Sequence, residues 1–311
     1  MSKVQSIWSK ADKFLSLSRK LIVNTFTVIV LIVITFTIIG GISSFFTSEE
    51  KIETDGKILW FKPIGVVVDS SIDSTPSFDA LVIGGTTVKQ HELGDLIKVL
   101  NSAAKDENLS AVYLNVSELG MYYSSAFEIA NAVKNIRDSG KEVIAYAETY
   151  GNTSYLISSQ ASKVMINEYG MVNAVGFSRK REFYKDLYEN INLNFNIFVA
   201  GDFKSGPEPF TRNSMSDEDK LAWNDFANPL WLKMTSMMES GRDLPIGTMQ
   251  KYGDTLWEMT IENPETAEIA LELDLVDMVV TREELRQWMF EKFPNEENDK
   301  NETSAIKSIF R

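Results

Sequence analysis

Residues Leu21–Ile42 carry no charged side chain and consist almost wholly of Leu, Ile, Val, Phe and Thr. Inside a bilayer every backbone polar group must be paired within the segment, so such a run is restricted to a helix. About 20 apolar residues in a helix span the hydrocarbon layer, and this run supplies them. A cleaved signal peptide has a shorter apolar core, about 7–15 residues, followed by small residues at the cleavage point. Here the run closes on Gly40-Gly41-Ile42-Ser43-Ser44-Phe45-Phe46. The reading is an uncleaved transmembrane helix over 21–42; a long buried helix is the alternative. Lys3, Lys10, Lys13, Arg19 and Lys20 precede the run against one anion, Asp12, while Glu49, Glu50, Glu53 and Asp55 follow it. That asymmetry places the basic segment 1–20 in the cytoplasm and the body of the chain outside the membrane.

Composition removes several chemistries. With no cysteine there is no disulfide framework, thiol nucleophile or thiolate metal site. The single histidine, His91, precludes a multi-histidine metal centre and leaves a Ser-His-Asp triad one possible base. His91 lies in the polar stretch Lys89-Gln90-His91-Glu92, where a surface or capping role is the simpler reading. A net charge of −13 and a pI near 4.7 oppose binding to a phosphate backbone, so no nucleic-acid partner is expected. Gly84-Gly85 lacks the further residues of a P-loop or dinucleotide fingerprint and reads as a turn. Neither a metal nor an organic cofactor is implied.

Beyond a tether over 43–57, apolar runs and helical periodicities alternate. Ile64–Val68, Val112–Val116, Val143–Ala147, Val164–Ile166 and Phe195–Val199 read as strands. Between them Leu93–Ala104, Ile129–Ile136, Tyr155–Ala161 and Glu182–Glu189 read as helices. Strand–helix alternation of this kind gives a parallel sheet covered by helices, an α/β fold. Ser216-Asp217-Glu218-Asp219 has the form of a capping box before a helix running to Ser240. That helix carries the stripe Trp223, Phe226, Leu230, Trp231, Met234 and Met238, and is kinked or divided at Pro229. Pro264 then opens another helix, and Met278–Val280 is a short strand. The α/β domain spans 58–293, and 294–311 is a polar linker or tail.

The segment Gly201-Asp202-Phe203-Lys204-Ser205-Gly206-Pro207-Glu208-Pro209-Phe210 follows the strand expected at Phe195–Val199. It therefore falls at the carboxyl edge of a parallel sheet, where open α/β folds place their sites. A lysine among Phe203, Gly206, Pro207, Pro209 and Phe210 can be desolvated, which disfavours the ammonium and suits a general base. The alternative is a loop lysine with its head in water.

"GDFKSGPEPFTRNSMSDED" at 201–219 closely resembles the lysine segment of the signal peptide peptidase A (protease IV) family, most of all the N-terminal half of its double-length bacterial form. "IGVVVDSS" at 64–71, "IRDSGKEVIAYAETYGNTSYLISSQASKVMIN" at 136–167 and "AEIALELDLVD" at 267–277 resemble it in the same order. The resemblance implies a crotonase-like fold shared with Clp protease, an anchor in the bacterial cytoplasmic membrane with the peptidase domain outside it, and a Ser–Lys dyad that degrades remnant signal peptides. It makes Lys204 the general base and proton donor, and Gly201, Pro209, Phe210 and Arg212 shapers of its loop. In the double-length form the first half supplies the lysine and the second the serine. Like subunits assembling into a homo-oligomer are implied as well.

Departures from the family pattern fall on the nucleophile. The corresponding stretch, "NVSELGMYYSSAFEIANAV" at 115–133, has Ser124 and Ser125 but no Gly-Gly after either. Ser125-Ala126-Phe127-Glu128 also fits a capping box opening a helix at 126–138, a structural role that leaves these serines weak candidates. Ser205 adjoins Lys204, but neighbours on an extended loop point apart. The expected function is a membrane-anchored serine endopeptidase half without its own nucleophile, inactive unless a second half supplies the serine. The alternative is a non-catalytic crotonase-fold module that assembles a membrane complex. A chain cut short and a stand-alone subunit both fit.

Overall fold

The computed structural model describes residues 17–35 except Ile22, 56–71 and 88–294. The turn expected at Gly84-Gly85, most of the tether and nearly all of the polar tail lie outside the described residues. Two compact units divide the chain, Met1–Glu53 and Thr54–Arg311. In the first, helix α1 (Leu17–Thr35) is long and apolar enough to cross a membrane by length and composition. It starts before the expected Leu21, and residues 36–42 of the apolar run are outside the described set. Thr25, Thr27 and Thr35 each donate a side-chain hydrogen bond to the carbonyl four residues back, which satisfies their hydroxyls within the helix.

In the second unit the chain runs β1 (Ile58–Phe61), β2 (Gly65–Val68), β3 (Gln90–Glu92), α2 (Leu93–Lys105), β4 (Ala111–Leu114) and β5 (Leu119–Gly120). It continues through α3 (Tyr123–Asp138), β6 (Glu142–Ala147), β7 (Tyr150–Gly151), α4 (Asn152–Ser158), β8 (Lys163–Ile166) and β9 (Val172–Asn173). Then follow α5 (Lys185–Asn190), α6 (Glu208–Thr211), α7 (Asp217–Gly241), α8 (Thr248–Glu262), α9 (Thr266–Glu272), β10 (Met278–Val279) and α10 (Arg282–Lys292). The main sheet has the order β1-β4-β6-β8-β10, and every pair in it is parallel. A second parallel sheet, β3-β2-β5, and a two-stranded pair, β7-β9, complete the set.

The pleat sorts each central strand between two cores. Val112, Leu114, Val143, Ala145, Val164 and Ile166 face the larger core with Leu100, Ile129, Val133, Leu156 and Ile157 of α2, α3 and α4. Ala111, Tyr113, Ile144, Tyr146 and Met165 face the other side, closed by Leu285 and bordered by Trp288 and Met289 of α10. Because both faces are covered, these strands are continuous apolar runs, the pattern that makes them readable as parallel. Gly65 lets β2 form: its φ is +131°, and a Cβ there would lie 2.1 Å from the Lys89 carbonyl oxygen.

Several local expectations are corrected. Residues Phe195–Val199 form no strand; the five-stranded sheet is filled by β1 and β10 at its edges. Phe195 instead packs edge-on against Tyr188, with ring centroids 4.8 Å apart, and lies 5.1 Å from Phe210. Phe198 is almost wholly exposed. Pro229 neither ends nor divides α7, which runs 25 residues through it. Pro264 lies before α9 rather than at its first position, and its carbonyl accepts from the Thr266 amide. The helix expected at Tyr155–Ala161 begins instead at Asn152, because the Ser154 hydroxyl closes the turn by accepting from the Gly151 amide at 2.8 Å.

Candidate active site

Lys204 lies on the loop joining α5 to α6, and its side chain is exposed. Among the described residues no hydrogen bond or ion pair reaches its amine. The missing strand at 195–199 removes the reason for placing this loop at a sheet edge, and the apolar neighbours do not enclose the lysine: Phe203 is itself exposed. In this single chain the loop lysine has its head in water.

The backbone around Lys204 is nevertheless fixed. Upstream, Gly201 has φ +101°, a conformation that side chains rarely adopt, with open space where a Cβ would stand. Downstream, Nη2 of Arg181 donates to the carbonyls of Ser205 (2.6 Å) and Gly206 (3.2 Å). Nη1 of the same guanidinium donates to Asp219 Oδ2 at 3.2 Å, and Arg179 Nη1 to Asp219 Oδ1 at 3.0 Å. Asp219 is buried in the first turn of α7. Burial opposes its ionisation. The hydrogen bonds from Ser205 and Arg179, with the charges of Arg179 and Arg181, outweigh that and hold the carboxyl below its ordinary value.

The expected cap at Ser216 is present, its Oγ accepting from the Asp219 amide at 3.1 Å. Ser216 also donates through its amide and hydroxyl to the buried carboxylate of Glu208 in α6. The loop, α6 and the start of α7 thus form one polar network. Pro209 and Phe210 belong to its apolar side. The Pro209 carbonyl accepts from the Tyr184 amide at 2.7 Å, and the Phe210 ring stacks near Tyr188. Arg212 donates from Nε to the Ser214 carbonyl at 3.2 Å.

The serine candidates are placed elsewhere and differently from the expectation. Helix α3 starts at Tyr123 with Tyr122 as its N-cap and no side-chain cap. Ser125 is therefore inside the first turn and buried, and the capping box with Glu128 does not form. Tyr123, the first residue of the helix, packs edge-on against Phe177, centroids 4.9 Å apart. Ser124 is exposed on the same turn. Just before it the chain turns through Asn115, whose Oδ1 accepts from the Ser117 amide and hydroxyl, and enters β5. His91, half-buried in β3, has Nε2 3.0 Å from the Ile64 carbonyl and plays a structural part. Among the described residues no group of acids and histidine is arranged to hold a metal ion.

Sequence reading missed Arg179 and Arg181, and it named Glu208 and Asp219 only within the loop and the capping box, without their burial or their partners. It also missed Asn152, whose Nδ2 donates to the Gly176 carbonyl at 2.8 Å while its buried Oδ1 has no partner among the described residues.

The family model for peptidase family S49 matches residues 135–293, half of the chain and the part that holds Lys204, Arg181 and Asp219. The chain belongs to peptidase family S49. Relatives of this S49 chain include Protease 4 of Haemophilus influenzae, 26% identical over 88% of this chain and 45% of the relative, and Protease 4 of Salmonella typhi, 26% identical over 66% and 34%. The chain thus spans between a third and a half of the length of these curated relatives. A solved Legionella pneumophila chain described as an enoyl CoA hydratase/isomerase (crotonase) is 12% identical, covers 70% of this chain and 73% of its own, and has a TM-score of 0.32. The family match over residues 135–293 shows the S49 assignment, and the parallel sheet is the chain's own evidence for the fold class.

Proposed function

We propose that this chain is the base-bearing half of a membrane-anchored Ser–Lys endopeptidase, with Lys204 as general base and a serine from outside residues 1–311 as nucleophile. The observation that carries the reading is the Lys204 amine: exposed, claimed by no ion pair among the described residues, and mounted on a fixed loop in an S49 chain. A neutral amine takes the serine proton as the hydroxyl oxygen attacks the scissile carbonyl, then returns it to the departing peptide amine. The base must shed its charge, and a second protein surface closing over the loop supplies the desolvation that favours the neutral form. Ser125, buried inside a helical turn, is not that nucleophile. The helix α1 holds the peptidase at the bacterial cytoplasmic membrane, with the domain outside it. Its substrates are apolar peptides left there, remnant signal peptides above all. Like subunits complete the assembly.

The test is hydrolysis of a fluorogenic apolar peptide, together with fluorophosphonate labelling, by this chain alone and by the chain joined to a serine-bearing half. Activity only in the joined form, abolished by Lys204→Ala and untouched by Ser125→Ala, supports the reading. Near-normal turnover of the Lys204→Ala form overturns it. No labelling in any form favours the alternative of a non-catalytic assembly module, which the exposure of Lys204 also suits.

A further inference from the structure

We propose that Arg181 is the positioning residue of Lys204 and that Asp219 is its anchor, an inference that rests on Lys204 being the base. The peptide carbonyls of Ser205 and Gly206 come directly after the lysine in the chain, and both are held by one guanidinium nitrogen, Nη2 of Arg181. The second terminal nitrogen is spent on Asp219. Asp219 is only 5% exposed and its helical turn is capped by Ser216, so the far end of the clamp is set in the 25-residue α7. Arg179 occupies the other carboxylate oxygen and fixes the rotation of the acid.

The chemistry suits arginine alone. A planar fork reaches two successive carbonyls and a carboxylate at once; an ammonium keeps the charge but is a point donor on a flexible stem. Among the described residues no strand runs into this loop and no partner holds the lysine amine, so the clamp carries the placement that a sheet edge would otherwise supply. Arg181 itself is 17% exposed, as expected of a group that acts through the backbone rather than on a substrate. Two charges, Arg179 and Arg181, face the single carboxylate of Asp219. Loss of Arg181 therefore leaves that carboxylate paired with Arg179, while the Gly206 carbonyl loses its guanidinium donor and the Ser205 carbonyl keeps only the Glu208 amide, at 3.1 Å.

Two measurements test this. In the first, the chain as it stands is treated with trypsin, and cleavage of the Lys204–Ser205 bond is followed by mass. Arg181→Ala is expected to speed that cut at least about tenfold with other sites unchanged; an unchanged rate overturns the clamp, whatever Lys204 does. In the second, peptide hydrolysis is measured in the enzyme completed by its serine-bearing half. Misplacement of a reacting group by about 1 Å costs roughly 100-fold. Arg181→Ala is accordingly expected to lower kcat by that order with KM within about twofold, and Arg181→Lys not to restore it. Wild-type kcat in Arg181→Ala, with Lys204→Ala dead, overturns the inference and leaves the base reading intact. An active Lys204→Ala enzyme removes the base reading and the positioning role with it, while the tryptic rate still reports whether the clamp exists. Should Arg181→Ala fail to fold, Arg181→Lys serves in both measurements, since it keeps the charge and removes the fork.

Discussion

The guanidinium of Arg242 lies two-pronged on the carboxylate of Asp277, Nη1 to Oδ2 at 2.9 Å and Nη2 to Oδ1 at 3.0 Å. Asp277 Oδ2 also accepts from the Val164 amide at 2.6 Å, and Arg242 donates again to the Asp274 carbonyl. One pair thus joins the end of α7, the turn before β10 and the strand β8. Removing one partner of a buried pair costs about 3–5 kcal/mol, because the other charge is left without compensation. Asp277 keeps partial water access, its side chain being 28% exposed, so Arg242→Ala is expected at the lower end, about 3 kcal/mol. Urea denaturation reads this directly. A loss below about 1 kcal/mol would show the pair to be ornamental, as exposed pairs are.

Tyr155 is fully buried and donates its hydroxyl to the Leu275 carbonyl at 2.8 Å, a contact between residues 120 positions apart. Burial raises its phenol well above the ordinary value, so the group stays a neutral donor at every working pH. Tyr155→Phe keeps the ring and deletes the bond, leaving a buried carbonyl unmatched at a cost of about 1–3 kcal/mol. Thermal melting of the variant checks it, and an unchanged midpoint would mean that water replaces the hydroxyl.

The parallel sheet was legible because strands buried on both faces spell continuous apolar runs, as Val143–Ala147 does. The loop of Lys204 stood out through residues close together in sequence. What was not legible depends on distant pairing or on tertiary override. Arg181 meets Asp219 across 38 positions; Asp219 is marked locally only as part of a capping box, and nothing local marks Arg181 or their pairing. Helix α8 went unread because Gly253 sits in its middle, normally a poor helix position. The fold uses it because Val175 passes 3.2–3.5 Å from where a Cβ would be. Phe195–Val199 carries strand-like residues, yet propensity without a neighbouring ladder makes no strand.

Asp219 gives the acid limb a specific sign. Its carboxyl is held below the ordinary 3.8, with burial opposed and outweighed by the Ser205 and Arg179 hydrogen bonds and the arginine charges. A depressed carboxyl contributes stability that is complete above the unfolded value and is lost as pH falls through the folded one. The difference in urea midpoint between wild type and Asp219→Asn is therefore expected to be constant from pH 6 to about 5, and to shrink below about 4. A difference that persists unchanged to about pH 2 would remove the charge from the account.

Gly65 and Gly201 both have positive φ, +131° and +101°, but differ in what surrounds them. Alanine at 65 meets the Lys89 carbonyl at 2.1 Å, so the β2–β3 pairing must open as well as the backbone strain. Alanine at 201 meets nothing within 4 Å and carries backbone strain alone, about 1–3 kcal/mol. Gly65→Ala is expected to destabilise by clearly more than Gly201→Ala. Gly201→Ala is expected to act on the loop instead, through faster tryptic cutting after Lys204 with a melting temperature lowered by only a few degrees. Equal stability losses in the two variants would show that strain, not the approach of Lys89, sets the cost at position 65.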